Sequence, residues 1–186
     1  MKLNDWFEKG MQPDMYIESM QNHKENLLTI YDNFILPNDQ AFFEKVRQKE
    51  LRVIVLTEDW CGDAMLNIPI LLKLAEAAEM DVRMLLRDQN LKLMDQYLTN
   101  GKSRSIPIFI FIHKNGNEVA KWGPRADKIQ AFVDKANAKL PDKEAKDYQE
   151  KFKEMIYFMT QTFINNQSFW DEVYQSLKQS LQHTIQ

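Results

Sequence analysis

Residues 51–74 read LRVIVLTEDWCGDAMLNIPILLKL, an apolar run that breaks at Trp60-Cys61-Gly62-Asp63-Ala64 and resumes with a different period. Val53, Ile54, Val55 and Leu56 are uninterrupted aliphatic residues, the pattern of a short strand buried on both faces. After Cys61 the apolar residues Met65, Ile68, Leu71, Leu72 and Ala75 recur at steps of three and four, which places them on one stripe of a helix. Cys61, the only cysteine of the chain, therefore falls where a buried strand hands over to a helix. Unpaired backbone N–H groups and the positive end of the helix dipole favour a thiolate at such a place.

Downstream, Asp81-Val82-Arg83-Met84-Leu85-Leu86 reads as a second strand. Leu91, Leu93, Met94, Tyr97 and Leu98 read as a helix that Asn100-Gly101 closes. Ser105-Ile106-Pro107 then leads into Ile108-Phe109-Ile110-Phe111-Ile112, the strongest strand signal in the chain. Lys114-Asn115-Gly116-Asn117 is expected to be a type I′ hairpin turn, because Asn-Gly tolerates positive φ, with Glu118 to Trp122 returning antiparallel. Gly123-Pro124 opens a last core helix carrying Ile129, Phe132, Val133 and Ala136. A crossover helix between the first two strands makes them parallel, and the right-handed rule fixes the side on which it lies.

On either side of this core the pattern is helical. Residues 1–50 read as an N-terminal helical extension: one helix starts near Asp14 and carries Tyr16, Met20, Leu27, Ile30, Tyr31 and Phe34 until Pro37 stops it. A second is capped by Asn38 or Asp39 and runs through Phe42, Phe43 and Val46. Trp6 and Phe7 are expected to pack onto the body. Residues 141–186 form a C-terminal helical extension expected to pack on the core of residues 51–140. Tyr148, Phe152, Met155, Met159 and Phe163 make one stripe, Asn165-Asn166 breaks it, and Ser168 with Asp171 resembles a capping box for a helix lined by Trp170, Val173, Tyr174, Leu177 and Leu181. These stripes read as packing, with a homodimer or partner surface as the use of any face left uncovered.

Composition narrows the function classes. With 44% hydrophobic and 27% charged residues, 186 residues suit a globular domain with extensions. A net charge of −3 offers no basic footprint for nucleic acid. No apolar run approaches the ~18 residues of a membrane span. The opening MKLNDWFEKG has no apolar centre of a secretory signal, so a cytoplasmic protein is expected. A single cysteine excludes an intramolecular disulfide and a two-cysteine redox cycle. His23, His113 and His183 are scattered, so no metal site is expected.

Trp60-Cys61-Gly62 after a buried strand, with Ile106-Pro107 before a strand and an Asn-Gly hairpin, resembles a thioredoxin-fold protein. The Glu-Asp-Trp-Cys-Gly-Asp run further resembles a bacterial subgroup of the thioredoxin family with a single-cysteine WCGDA turn. The resemblance implies an α/β fold with a mixed central sheet of about four strands, flanked by helices. It also implies a cis Pro107 facing Cys61 and helping to bind extended substrates together with the backbone at Ile106, while Trp60 reads as both a lid on the core and a wall of the site. This sequence departs from thioredoxin at three positions. Ala64 stands where the resolving cysteine would be, Asp63 where the intervening proline would be, and Val55 where a buried acid relays protons.

Cys61 is thus the candidate catalytic residue, with Asp59 and Asp63 (and Glu58) opposing the thiolate by like charge and Arg104, with Lys102, placed to offset them. The resemblance implies monothiol thiol–disulfide exchange on a protein or small-molecule disulfide. It needs no resident cofactor, an external low-molecular-weight thiol serving as reductant. The alternative is a non-catalytic binding module that uses the Pro107 groove or the added helices to hold a partner; the thiol pKa separates the two. Iron–sulfur binding is disfavoured, because Cys-Gly-Asp-Ala differs from the Cys-Gly-Phe-Ser of monothiol glutaredoxins.

Overall fold

The computed structural model describes residues 2–184. Four strands, β1 (Arg52–Thr57), β2 (Asp81–Leu86), β3 (Ile108–Ile112) and β4 (Glu118–Trp122), form one sheet in the order β2-β1-β3-β4. β1 runs parallel to β2 and antiparallel to β3, and β3 runs antiparallel to β4. The mixed α/β architecture is the one expected from the alternation of strand and helix patterns.

Residues Val53 to Thr57 of β1 and all five residues of β3 are buried, because helices and loops cover both faces of the sheet. Helix α5 (Gly62–Ala77) follows β1 and is buried over most of its circumference, from Ala64 to Ala75. Helices α3 (Lys24–Asn33) and α9 (Gln167–Gln182) pack along it, while α1 (Leu3–Lys9) and α2 (Pro13–Ser19) pack on β1 and β2. Phe7 of α1 is 2% exposed and carries the guanidinium groups of Arg52 and Arg83 at 4.4 and 4.9 Å from its ring centroid. On α9, Trp170, Val173, Tyr174, Leu177 and Leu181 are all buried, as the stripe predicts. Helix α8 (Tyr148–Asn165) differs: Met155 and Phe163 are buried, yet Phe152, Ile156, Tyr157 and Phe158 stay exposed. Among the described residues no helix is long and apolar enough to cross a membrane.

Several local expectations are overturned by longer-range contacts. The single helix expected from Asp14 to Phe34 is two, α2 and α3, separated at Met20–His23, where His23 adopts φ 57°. The break is held by Asp59, whose carboxylate accepts the backbone N–H groups of Gln21 at 2.7 Å and Asn22 at 3.0 Å. Helix α4 (Gln40–Arg47) starts after Asp39, but that carboxylate does not cap it. It accepts instead from the Tyr174 hydroxyl at 2.5 Å and Lys178 Nζ at 2.9 Å of α9. After a 3-10 turn at Arg87–Gln89, helix α6 spans only Leu91–Met94, because Tyr97 turns away to donate to Glu118 Oε2 at 2.6 Å. The last core helix, α7 (Asp127–Asn137), begins three residues beyond Pro124. The cap of α9 is Asn166, whose side chain accepts from the Phe169 N–H, and not Ser168.

The two Asn-Gly pairs exchange their expected roles. Asn100 and Gly101 have φ 53° and 68°, and Lys102 N–H donates to Thr99 O at 3.1 Å, the positive-φ pair of a type I′ turn. At the β3–β4 connection only Gly116 has positive φ, and its N–H donates to His113 O at 2.8 Å. That pattern is a type I turn closed by a left-handed glycine.

Candidate active site around Cys61

The site begins with the last turn of β1. The chain leaves the sheet at Thr57, and Cys61 becomes the N-cap of α5 with extended backbone (φ −82°, ψ 116°). Met65 N–H donates to Cys61 O at 3.0 Å, the first bond of the helix, while Ala64 N–H points at Cys61 Sγ at 3.5 Å. From the opposite side, Cys61 Sγ donates to Ile106 O at 3.4 Å. The Ile106–Pro107 peptide is cis. The sulfur is thus held between a helix N-terminus and the loop that enters β3, and the residue is 8% exposed.

Electrostatics do not favour the thiolate here. Burial, first, and the Asp63 carboxylate, second, push the Cys61 thiol up to about 11; the N–H groups of Ala64 and Asp63 and the charge of Arg125 oppose them. The helix terminus is present as expected, but desolvation of a charged sulfur outweighs it.

Asp63 itself is nearly buried, its side chain 13% exposed, and it is gripped by Arg125. Arg125 Nε donates to Asp63 Oδ1 at 2.8 Å and Nη2 lies 2.7 Å from Oδ2, a bidentate pair. Burial lifts the Asp63 carboxyl above the usual range, against the pull of Arg125. The third guanidinium nitrogen, Nη1, donates to Gln130 Oε1 at 2.9 Å, and Gln130 Nε2 donates to Asp134 Oδ1 at 2.8 Å along α7. The segment before Arg125 is fixed as well. Asn67 Nδ2 of α5 donates to Pro124 O at 3.0 Å, and a Cβ on Gly123 (φ +125°) would lie 2.2 Å from Pro107 O.

The remaining expected site residues divide. Trp60 is 50% exposed beside the cysteine, with the Arg87 guanidinium 5.0 Å from its ring centroid. Ile106 is 4% exposed and supplies the carbonyl on the sulfur. Asp59 faces the α2–α3 break; burial raises its carboxyl, but the N–H groups of Gln21 and Asn22 prevail and hold it below the usual range. Glu58 Oε1 accepts from Asp88 N–H at 2.9 Å. Arg104 forks onto Asp95 at 2.7 and 3.0 Å, so the guanidinium that opposes the acid beside Cys61 is Arg125. Val55 lies in the sheet between Met84 and Phe109. Two residues on, with its side chain toward the same face of β1, Thr57 Oγ1 sits 3.1 Å from the Tyr16 hydroxyl.

Neither Arg125 nor the Tyr16–Thr57 pair was visible in the sequence pattern. Arg125 carries no local motif, and Tyr16 reads simply as one member of an apolar stripe. Among the described residues no group of three or more His, Cys, Asp or Glu side chains is placed to hold a metal ion.

Comparison with known proteins bears on the fold. No curated protein matches the sequence. Among solved structures, a protein of unknown function from Pseudomonas aeruginosa superposes with a TM-score of 0.62 at 13% identity, covering 88% of this chain and 95% of that one. An HIV epitope-scaffold superposes with a TM-score of 0.66 at 12% identity, covering 98% and 99%. At these identities the likeness is one of fold. The family model described as thioredoxin matches residues 10–139, taking in α2 to α4 together with the whole sheet, α5 and α7. With more than half of its length matched, the chain belongs to the thioredoxin family.

Proposed function

We propose that this chain carries out monothiol thiol–disulfide exchange through Cys61 on protein or small-molecule disulfides. The observation that supports this reading is the position of Cys61 Sγ, at the N-cap of α5 and 3.4 Å from the carbonyl that precedes the cis Pro107 peptide. In this reading the half-exposed Trp60, next to Cys61 in the chain, and the Ile106–Pro107 backbone flank the incoming disulfide.

The thiolate of Cys61 attacks one sulfur of the disulfide. A bond forms between Sγ and that sulfur, the original S–S bond breaks, and the other sulfur leaves as a thiolate that takes a proton from water. Ala64 offers no second thiol, so an external low-molecular-weight thiolate then attacks the substrate-derived sulfur of the mixed disulfide. It leaves with that sulfur as a new disulfide and returns Cys61 as a thiolate. The scheme suits a reducing compartment such as the cytoplasm, where thiols are kept abundant and reduced. A bacterial protein of the single-cysteine subgroup fits the same scheme.

One observation favours a second reading, a binding module that has kept the groove and lost the chemistry: burial and Asp63 push the thiol up to about 11. Incubation with a symmetrical low-molecular-weight disulfide at neutral pH, followed by intact-mass measurement, decides between them. Exchange gives an adduct of one half-disulfide on the wild type and none on Cys61→Ser. No Cys61-dependent adduct overturns exchange and leaves the module.

A further inference from the structure

We propose that Arg125, remote from the cysteine in sequence, is the positioning residue of this thiol: by forking onto Asp63 it fixes that carboxylate in the first turn of α5, and the pair sets how readily Cys61 reacts.

An acid at this turn is ordinarily an exposed residue that stabilises the helix dipole by ~0.3–1 kcal/mol. Asp63 is not of that kind. Its side chain is 13% exposed, both oxygens are taken by one guanidinium, and that guanidinium is fixed in turn through Gln130 to Asp134. Without Arg125 a carboxylate so buried would be expelled to solvent or take up a proton. Arg125 therefore keeps a negative charge beside a sulfur that must itself become negative to react.

The other groups around the turn are committed elsewhere or carry no charge. Glu58 is engaged by Asp88 N–H, Asp59 by Gln21 and Asn22, and Arg104 by Asp95. Tyr16 from α2 feels Cys61, Asp59 and Glu58, and burial pushes its phenol well above the usual range, so it stays neutral. The pair of opposite charges is thus the adjustable element. With Asp63 neutral, Arg125 faces the sulfur uncompensated and stabilises the thiolate.

The inference deepens the exchange reading and rests on it for its consequence. Its test is independent, because iodoacetamide alkylation counts thiolate whether or not any disulfide is exchanged. Alkylation rate is measured against pH by mass for the wild type, Asp63→Asn, Asp63→Asn/Arg125→Gln and Asp63→Asn/Arg125→Lys, each checked by thermal unfolding. Asp63→Asn is expected to alkylate about tenfold faster at pH 7.5, a fall of about one unit in the midpoint of the profile. The Gln double variant is expected to lose part of that gain and the Lys double variant to keep it. Asp63→Ser, which removes the same charge with a smaller side chain, is expected to give the same sign as Asn. A rate within twofold of wild type for both single variants overturns the proposal, as does a gain that survives Arg125→Gln in full.

Discussion

Single residues set opposing influences on one sulfur. Cys61 occupies the helix position that favours a thiolate, yet it is buried beside an acid, and burial is the larger effect. Gly123 belongs to the same site although it has no side chain. Its φ of +125° and the 2.2 Å approach that a Cβ would make to Pro107 O mean that the β4–α7 loop rests directly on the loop of Ile106 and Pro107. Gly123→Ala is therefore expected to cost at least about 2 kcal/mol in urea unfolding and to move the Ile106 carbonyl away from Sγ, raising Cys61 alkylation. Unchanged stability would show that the two loops are not packed as described. The cysteine and Pro107 were legible from local motif. Gly123 was legible only as half of a Gly-Pro helix start, since the carbonyl it must accommodate lies far away in the chain.

At the level of elements, the turn carrying Cys61 also organises the N-terminal helices. The stripe from Tyr16 to Phe34 has helical spacing throughout, so periodicity joined what the structure divides. Two backbone N–H groups leave the helix ladder at Gln21 and Asn22 because the Asp59 carboxylate is a better acceptor than the intrahelical carbonyls. Asp59→Ala removes that acceptor and is expected to destabilise the fold by about 1 to 2 kcal/mol. Hydrogen exchange at Gln21 and Asn22 is expected to accelerate while β1 stays protected. Equal protection at these amides in the variant would refute the link between the cysteine turn and α2–α3. The same competition explains the two Asn-Gly pairs: each tolerates positive φ, but only the pairing partners decide which becomes the two-residue turn. The strands at Asp81–Leu86, Ile108–Ile112 and Glu118–Trp122 were legible at full length and β1 at Val53–Leu56 within Arg52–Thr57; for β1 and β3 the reason is that an uninterrupted apolar run flanked by turn residues has one good use in a buried sheet. Helix ends were less legible, because Asp39 and Asp59, which read as local caps or local charge, are used across the fold.

Over the whole molecule, protons are held more tightly in the folded state at several places. The thiol of Cys61 is pushed up to about 11 and the Tyr31 phenol to about 12, and burial first, then hydrogen bonds to carboxylates, raise Tyr97 and Tyr174 as well; Tyr16 is raised by burial. A group whose folded value lies above its unfolded one contributes stability that is complete below the unfolded value and is lost as pH rises through the folded value. The unfolded thiol titrates near 8.5 and the unfolded phenols near 10. Stability is therefore expected to hold from about pH 7 to 8.5 and to decline progressively above about pH 9, seen as a lower urea midpoint at pH 10.5 than at pH 8. Cys61→Ala is expected to flatten the first part of that decline. An equal midpoint at both pH values would contradict the burial of these groups. By itself the sequence determined the sheet, the helix that follows β1 and the place of the one thiol, because hydrophobic period and turn chemistry are properties of adjacent residues. Only the tertiary structure decided the state of that thiol. The charge opposing its acidic neighbour belongs to Arg125, sixty-two positions beyond Asp63, and desolvation is a property of the packed whole that no short stretch contains.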